Sequence, residues 1–133
     1  APKSTGREDF HLGWLMDSLQ YQPVERLPED VQATLVMLTA TSIAHAIQTT
    51  ELDQGELWLC GGGAYNASLW TSLATLLPDW TLHSTAALGL APTWVEAAAF
   101  AWLAQQRMQQ QSGNLPRVTG AQGRRVLGAI YAP

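Results

Sequence analysis

The run Glu56-Leu57-Trp58-Leu59-Cys60-Gly61-Gly62-Gly63-Ala64-Tyr65-Asn66 sets the architecture of this chain, because a short, mostly apolar segment runs straight into three consecutive glycines. Residues 56–60 read as a buried strand of a largely parallel sheet, with the glycines at its carboxyl end. After Asn66, the residues Leu69, Leu73, Leu76 and Leu77 share one helical stripe, which Pro78 closes. Trp80-Thr81-Leu82-His83-Ser84-Thr85 reads as a second strand. Strand, helix, strand is a crossover unit, right-handed if the two strands are parallel. The fold class is therefore α/β, with helices packed on a short, largely parallel sheet.

Upstream, Pro28 suits the first turn of a helix, where its missing amide is not needed, and Glu29 and Asp30 complement the helix's positive end. Val31, Leu35, Leu38, Ile43 and Ile47 give that helix an apolar face to about Gln48, before the turn Asp53-Gln54-Gly55. Earlier still, Thr5 and Glu8 have capping-box spacing, and Phe10, Trp14, Leu15 and Leu19 recur at helical intervals, predicting a helix over 7–20. Downstream, Pro92, Thr93 and Glu96 mark a helix start, and residues 97–104 are apolar all round, the pattern of a buried helix. Gly113 is placed to cap its far end. Residues 114–121 read as irregular, and the type of the closing Val126-Leu127-Gly128-Ala129-Ile130-Tyr131 stays open.

At 133 residues and 47% hydrophobic content, with no linker, the chain reads as a single unit over 1–133. Charged residues are only 14% of it, against roughly 25% in an ordinary soluble domain, so some apolar surface is expected to face another protein segment. A net charge of -4 with seven scattered Lys and Arg gives no stripe for a phosphate backbone, so nucleic acid is not an expected partner. One cysteine, Cys60, cannot make an internal disulfide, and His11, His45 and His83 lack metal-ligand spacing, so a reducing cytoplasm fits and a zinc site does not. The first residues have no signal-peptide core, and no stretch approaches the roughly 20 apolar residues of a membrane span. The six tryptophans read as core or subunit-interface residues, with carbohydrate stacking open to one of them.

Gly61 to Asn66 lies between strand and helix, where missing side chains let backbone amides approach a ligand and the helix amino end favours negative charge. That suits a nucleotide, with the amides after Cys60 expected to be open. The spacing is neither the dinucleotide fingerprint nor the Walker loop, and a glycine turn alone equally reads as a tight turn with no ligand. Asn66 reads as a helix cap that can also border a nucleotide. Glu96 either caps its helix or points into a sugar cleft. Lys3, Ser4, Thr5 and Arg7 could approach phosphate or sugar, or form a surface cap. The histidines read as structural and Cys60 as a small hydrophobe at the end of a buried strand.

Five ordered blocks agree with the nucleotide reading: 3–8; Gly61-Gly62-Gly63-Ala64 with Asn66; Glu96-Ala97 with 99–104; Asn114-Leu115-Pro116 with 118–121; and 126–131. In this order they resemble the carboxy-terminal third of the anhydro-N-acetylmuramic acid kinase family, within the actin-like ATPase and sugar-kinase superfamily. The resemblance implies a partial actin-like ATPase (ribonuclease H-like) fold, the carboxy-terminal nucleotide-binding part of a two-domain sugar kinase. It implies ATP and Mg2+ as cofactors, nucleotide binding at Gly61, Gly62, Gly63 and Asn66, and substrate contact at Glu96. The implied reaction is hydrolytic opening and phosphorylation of 1,6-anhydro-N-acetylmuramic acid to N-acetylmuramic acid 6-phosphate, a cytoplasmic step of cell-wall recycling performed by a homodimer. Tyr65 and the pair Ala67-Ser68 depart from the family pattern on the motif's variable flank, which bears on nucleotide affinity. The phosphate hairpin and the carboxylate base that this fold uses are absent, so the chain reads as a catalytically inactive fragment whose partner is the missing amino-terminal part. Two alternatives remain: a non-catalytic interaction domain of the same fold, and a kinase for another anhydrosugar such as levoglucosan.

Overall fold

The computed structural model describes residues 9–20 and 26–131. The Thr5–Glu8 capping box and the Lys3 to Arg7 group lie outside the described residues. In chain order the regular elements are α1 (Leu12–Gln20), α2 (Pro28–Gln48), β1 (Gly55–Leu59), α3 (Ala67–Leu76), β2 (Trp80–Ser84), α4 (Val95–Met108) and the single turn α5 (Pro116–Thr119). Short 3-10 turns occupy Gly62–Tyr65, Thr85–Leu88 and Pro92–Trp94. The chain divides into two compact units, Leu27–Trp102 on the one hand and Ala1–Arg26 with Leu103–Pro133 on the other.

Within Leu27–Trp102, β1 and β2 pair in parallel with Gly55 opposite Trp80 and Leu59 opposite Ser84. The expected mixed α/β architecture is therefore present, with α2 and α3 packed on a two-stranded parallel sheet. Pairing is tight at its amino end: a Cβ on Gly55 would sit 2.9 Å from Trp80 Cζ3, so the indole lies where any side chain would clash. The core is formed by Leu59, Leu69, Leu73 and Leu77 with Ala40, Ala44 and Ala64, and Trp70 and Trp80 pack against it. Leu73 is fully buried, a burial worth about 2 kcal/mol.

The sequence placed the bounds of α2 at Pro28 and about Gln48, as observed. Its buried stripe differs from the expected one. Val36, Ala40, Ile43, Ala44 and Ile47 face the core, whereas Leu38 is 45% exposed. Two alanines at i and i+4 let the helices approach closely, and a search for large apolar residues passes over them. β1 is also less buried than its composition suggested. Leu57 and Leu59 turn toward the helices, while Glu56 and Trp58 alternate to the other face. There Trp58 stacks on His83 (centroids 4.5 Å apart) and donates its Nε1 proton to Glu56 Oε2 at 3.2 Å, with His83 Nε2 3.9 Å from Glu56 Oε1.

A larger correction concerns α4, whose apolar composition predicted burial. No residue of α4 is buried in this chain: Phe100 is 71% and Trp102 48% exposed, and Trp94 just before it is 68% exposed. All-round apolarity says that a helix needs cover but not which segment supplies it.

In the unit of Ala1–Arg26 and Leu103–Pro133, α1 begins at Leu12; residues 9–11, expected to be helical, form a turn and bend, and residues 7 and 8 of the expected helix lie outside the described residues. His11 supplies the cap, its Nδ1 accepting from the Trp14 amide at 3.2 Å. The far end of α4 also departs from expectation, since Gln110 (φ 55°) and not Gly113 takes the left-handed conformation that ends it. The Gln111 amide then donates back to the Gln106 carbonyl at 2.8 Å. Gly113 instead donates to the Arg125 carbonyl at 3.0 Å. Beside it, Asn114 Oδ1 accepts from the Arg125 amide (2.7 Å) and from Ser112 Oγ (3.0 Å), and its Nδ2 donates to the Gly123 carbonyl (3.0 Å). Residues 126–131, whose type the sequence left open, form no regular element.

Candidate functional site

Because β1 and β2 are parallel and in register, the chain leaves both strands at the same edge of the sheet. Open α/β sheets place their ligand crevices at that carboxyl edge. β1 passes through Cys60 into Gly61, whose φ of 72° and ψ of -174° suit only glycine. Gly62–Tyr65 then winds as one 3-10 turn, and Asn66 starts α3 with its Oδ1 accepting from the Leu69 amide at 3.1 Å. The capping role expected of Asn66 is met; among the described residues its Nδ2 group has no acceptor. Trp70 holds the turn against α3, donating from Nε1 to the Ala64 carbonyl at 2.7 Å.

The second strand's exit lies alongside. Ser84 Oγ accepts from the Ala86 amide at 3.2 Å, and Thr85 Oγ1 is a buried hydroxyl with no partner among the described residues. The chain returns through Leu90 to Pro92, whose carbonyl accepts from the Gly61 amide at 2.8 Å. That bond brings the segment leading into α4 to the glycine turn, and Glu96 is exposed in the first turn of α4.

The turn differs from an open cradle in one respect. Gly61, Ala64 and Asn66 already donate their amides, to Pro92, Gly61 and Gly63 respectively, so the expectation of free amides after Cys60 does not hold for these three. Space is nevertheless available: a Cβ on Gly61 or Gly62 would meet nothing within 4 Å. On the α2 side lies an open recess of about 260 Å³, lined by Gln32, Leu35, Val36 and Thr39 of α2 with Gly63, Asn66 and Leu69. Cys60 is exposed, not buried, because it stands one residue past the end of β1.

Of the predicted site residues, the structure thus gathers Gly61, Gly62, Gly63 and Asn66 into one turn and brings the helix bearing Glu96 beside it. Sequence reading missed Gln32, Thr39, Thr85 and the Pro92 carbonyl. The first two fall on the helix face next to the one expected to matter, and a backbone carbonyl thirty-one residues from its donor leaves no local signal. Among the described residues no group of three His, Cys, Asp or Glu is arranged to hold an ion.

Fold and turn together define an α/β domain with a glycine turn and an open recess at the carboxyl edge of a parallel sheet. The family model for anhydro-N-acetylmuramic acid kinase matches residues 1–133, and the chain belongs to that family. It is 56% identical to the anhydro-N-acetylmuramic acid kinase of Acinetobacter baylyi, over 97% of this chain and 37% of that protein. The enzymes of the same name from Pseudomonas syringae pv. tomato and Coxiella burnetii are 55% and 48% identical, each over 98% of this chain and over 35% and 34% of their own lengths. The chain thus spans about a third of the curated relatives it matches.

Proposed function

We propose that this chain is the carboxy-terminal, nucleotide-gripping part of an ATP-dependent kinase that opens and phosphorylates 1,6-anhydro-N-acetylmuramic acid to N-acetylmuramic acid 6-phosphate. The observation that carries this reading is the glycine turn at the carboxyl edge of β1, fixed to the entry of α4 by the Gly61–Pro92 bond. In it, Gly61 and Gly62 leave room for a ligand to approach backbone, and Asn66 would offer its carboxamide NH2, which has no acceptor among the described residues. Glu96 would accept from sugar hydroxyls. ATP would supply the phosphoryl group, and binding it in place is this chain's part of the work. The base for the attacking water and the phosphate hairpin would come from the remaining two thirds of the enzyme.

The exposed Trp94, Phe100 and Trp102 support an apolar interface, either with that remaining part or across a homodimer. Among the described residues no helix is long and apolar enough to cross a membrane. Nucleotide titration of the purified chain tests the reading: saturable binding supports it, and its absence favours the non-catalytic interaction domain. Turnover of an anhydrosugar by this chain alone would contradict the division of labour. Sedimentation at micromolar concentration checks self-association.

A further inference from the structure

The glycine turn is anchored at both ends, by the Gly61 amide on the Pro92 carbonyl and by Asn66 Oδ1 on the Leu69 amide. Between the anchors, Gly62 and Gly63 have no side chains to fix them, and among the described residues neither donates its amide to a backbone carbonyl. The residue that locates both is Ala64. Its amide donates to the Gly61 carbonyl at 3.2 Å, which closes the turn around Gly62 and Gly63, and its own carbonyl accepts from Trp70 Nε1 at 2.7 Å. Ala64 is also buried in the core, at 8% exposure.

Trp70 is the side chain in this arrangement whose chemistry is specific. It lies one turn into α3, where side chains lean toward the helix's amino end, so the indole reaches back over the turn that precedes the helix. Its amide donates to the Asn66 carbonyl at 3.1 Å, and its ring packs against the core cluster that holds Leu69 and Leu73. A leucine, methionine or phenylalanine at this position could pack on the core in the same way. None of them carries an N–H, so the Ala64 carbonyl would lose its partner. Packing and positioning are thus separable functions of this one side chain.

We infer that Trp70 is a positioning residue of the turn: its indole N–H, acting through the Ala64 carbonyl, holds the Gly62 and Gly63 amides in one orientation and ties that orientation to the core. Trp70 acts through Ala64 and not by contact with a ligand. Consecutive glycines otherwise leave the turn many conformations, and a ligand that needs one of them binds more weakly in proportion to the time the turn spends in the others. The inference rests on the nucleotide reading proposed above, to which it adds a residue that is neither a glycine nor a cap.

The test compares the 133-residue chain with its Trp70→Phe variant and with the same chain carrying, at position 70, the tryptophan isostere in which sulfur replaces the ring N–H. Amide resonances are recorded by NMR without ligand, and ADP binding is measured by calorimetry. Both altered chains should displace the Gly62 and Gly63 amide resonances while leaving that of Leu73 in place. Both should bind ADP roughly 3- to 10-fold more weakly, the range set by one net hydrogen bond. Should Trp70→Phe fail to fold, the isostere decides, because it keeps the size and shape of the ring. Unmoved Gly62 and Gly63 resonances in the isostere, or ADP bound by it as tightly as by the natural chain, would show that Trp70 only fills space and would overturn the inference while leaving the nucleotide reading intact. ADP binding to none of the three chains would remove the nucleotide reading itself, and the inference with it.

Discussion

Residues 27–102 and the unit built from residues 1–26 and 103–133 are held together by different means. Every buried apolar residue among those described, from Ala40 to Leu77, belongs to the first. In the second, α1 and α5 bury nothing, and order comes from polar knots: Asn114 bonded to Ser112, Gly123 and Arg125, and His11 capping α1. Burial is non-directional and tolerates approximate geometry, whereas a hydrogen-bonded knot depends on single atoms. The candidate site sits where the two kinds of support meet within residues 27–102, since Leu59 and Leu69 are core residues while Gly61 and Asn66 act through backbone and amide bonds.

The sharpest way to break this contrast is Leu73→Ala. At a fully buried site it should cost about 2–5 kcal/mol, read as a lowered urea midpoint by circular dichroism. Phe100→Ala, at a residue 71% exposed, should stay within about 0.5 kcal/mol. Equal effects would show that the core does not dominate residues 27–102.

Next in size is Gly61→Ala, which forces an L-residue to φ 72° and ψ -174° and should cost about 1–3 kcal/mol. Space is not the obstacle, because the added methyl would touch nothing within 4 Å, so a loss would be purely conformational. A neutral result would mean that the turn adopts another conformation.

Asn114→Ala removes bonds to two backbone groups and a hydroxyl, and should cost about 1–2 kcal/mol locally. Hydrogen exchange should quicken roughly tenfold at the Gly113 and Arg125 amides and stay unchanged at Leu73. Slowed exchange at Leu73 lost along with them would join what the contrast separates. The smallest expected effect is at the cap, where Asn66→Ala should cost about 1 kcal/mol and Asn66→Asp much less, because a carboxylate oxygen can still accept from the Leu69 amide.

Much of the first unit was legible in the sequence, since its signals are local. Apolar periodicity and Pro28 gave α2 its bounds, and the glycine run between two apolar segments gave strand, turn, helix and parallel strand. What escaped reading depends on distance or on small residues. The close face of α2 is made by Ala40 and Ala44, which carry little hydrophobic signal of their own. The bond from Gly61 to Pro92 links separate loops, and it alone shows that the turn's first amide is already engaged. Gln110 ends α4 although Gly113 has the better intrinsic preference, because the Gly113 amide pairs with Arg125, a partner no local rule could name. Of the site, the glycines, Asn66 and Glu96 were legible as a motif, and the α2 wall of the recess was not.

Amide chemical-shift mapping of the isotopically labelled chain during an adenosine titration tests the central claim most directly. The account predicts saturable shifts at Gly62, Gly63 and Asn66 together with Gln32 to Thr39, the residues around the recess. Shifts confined to the opposite edge of the sheet, at Asp53 and Asp79, or no saturable shifts at all, would contradict it.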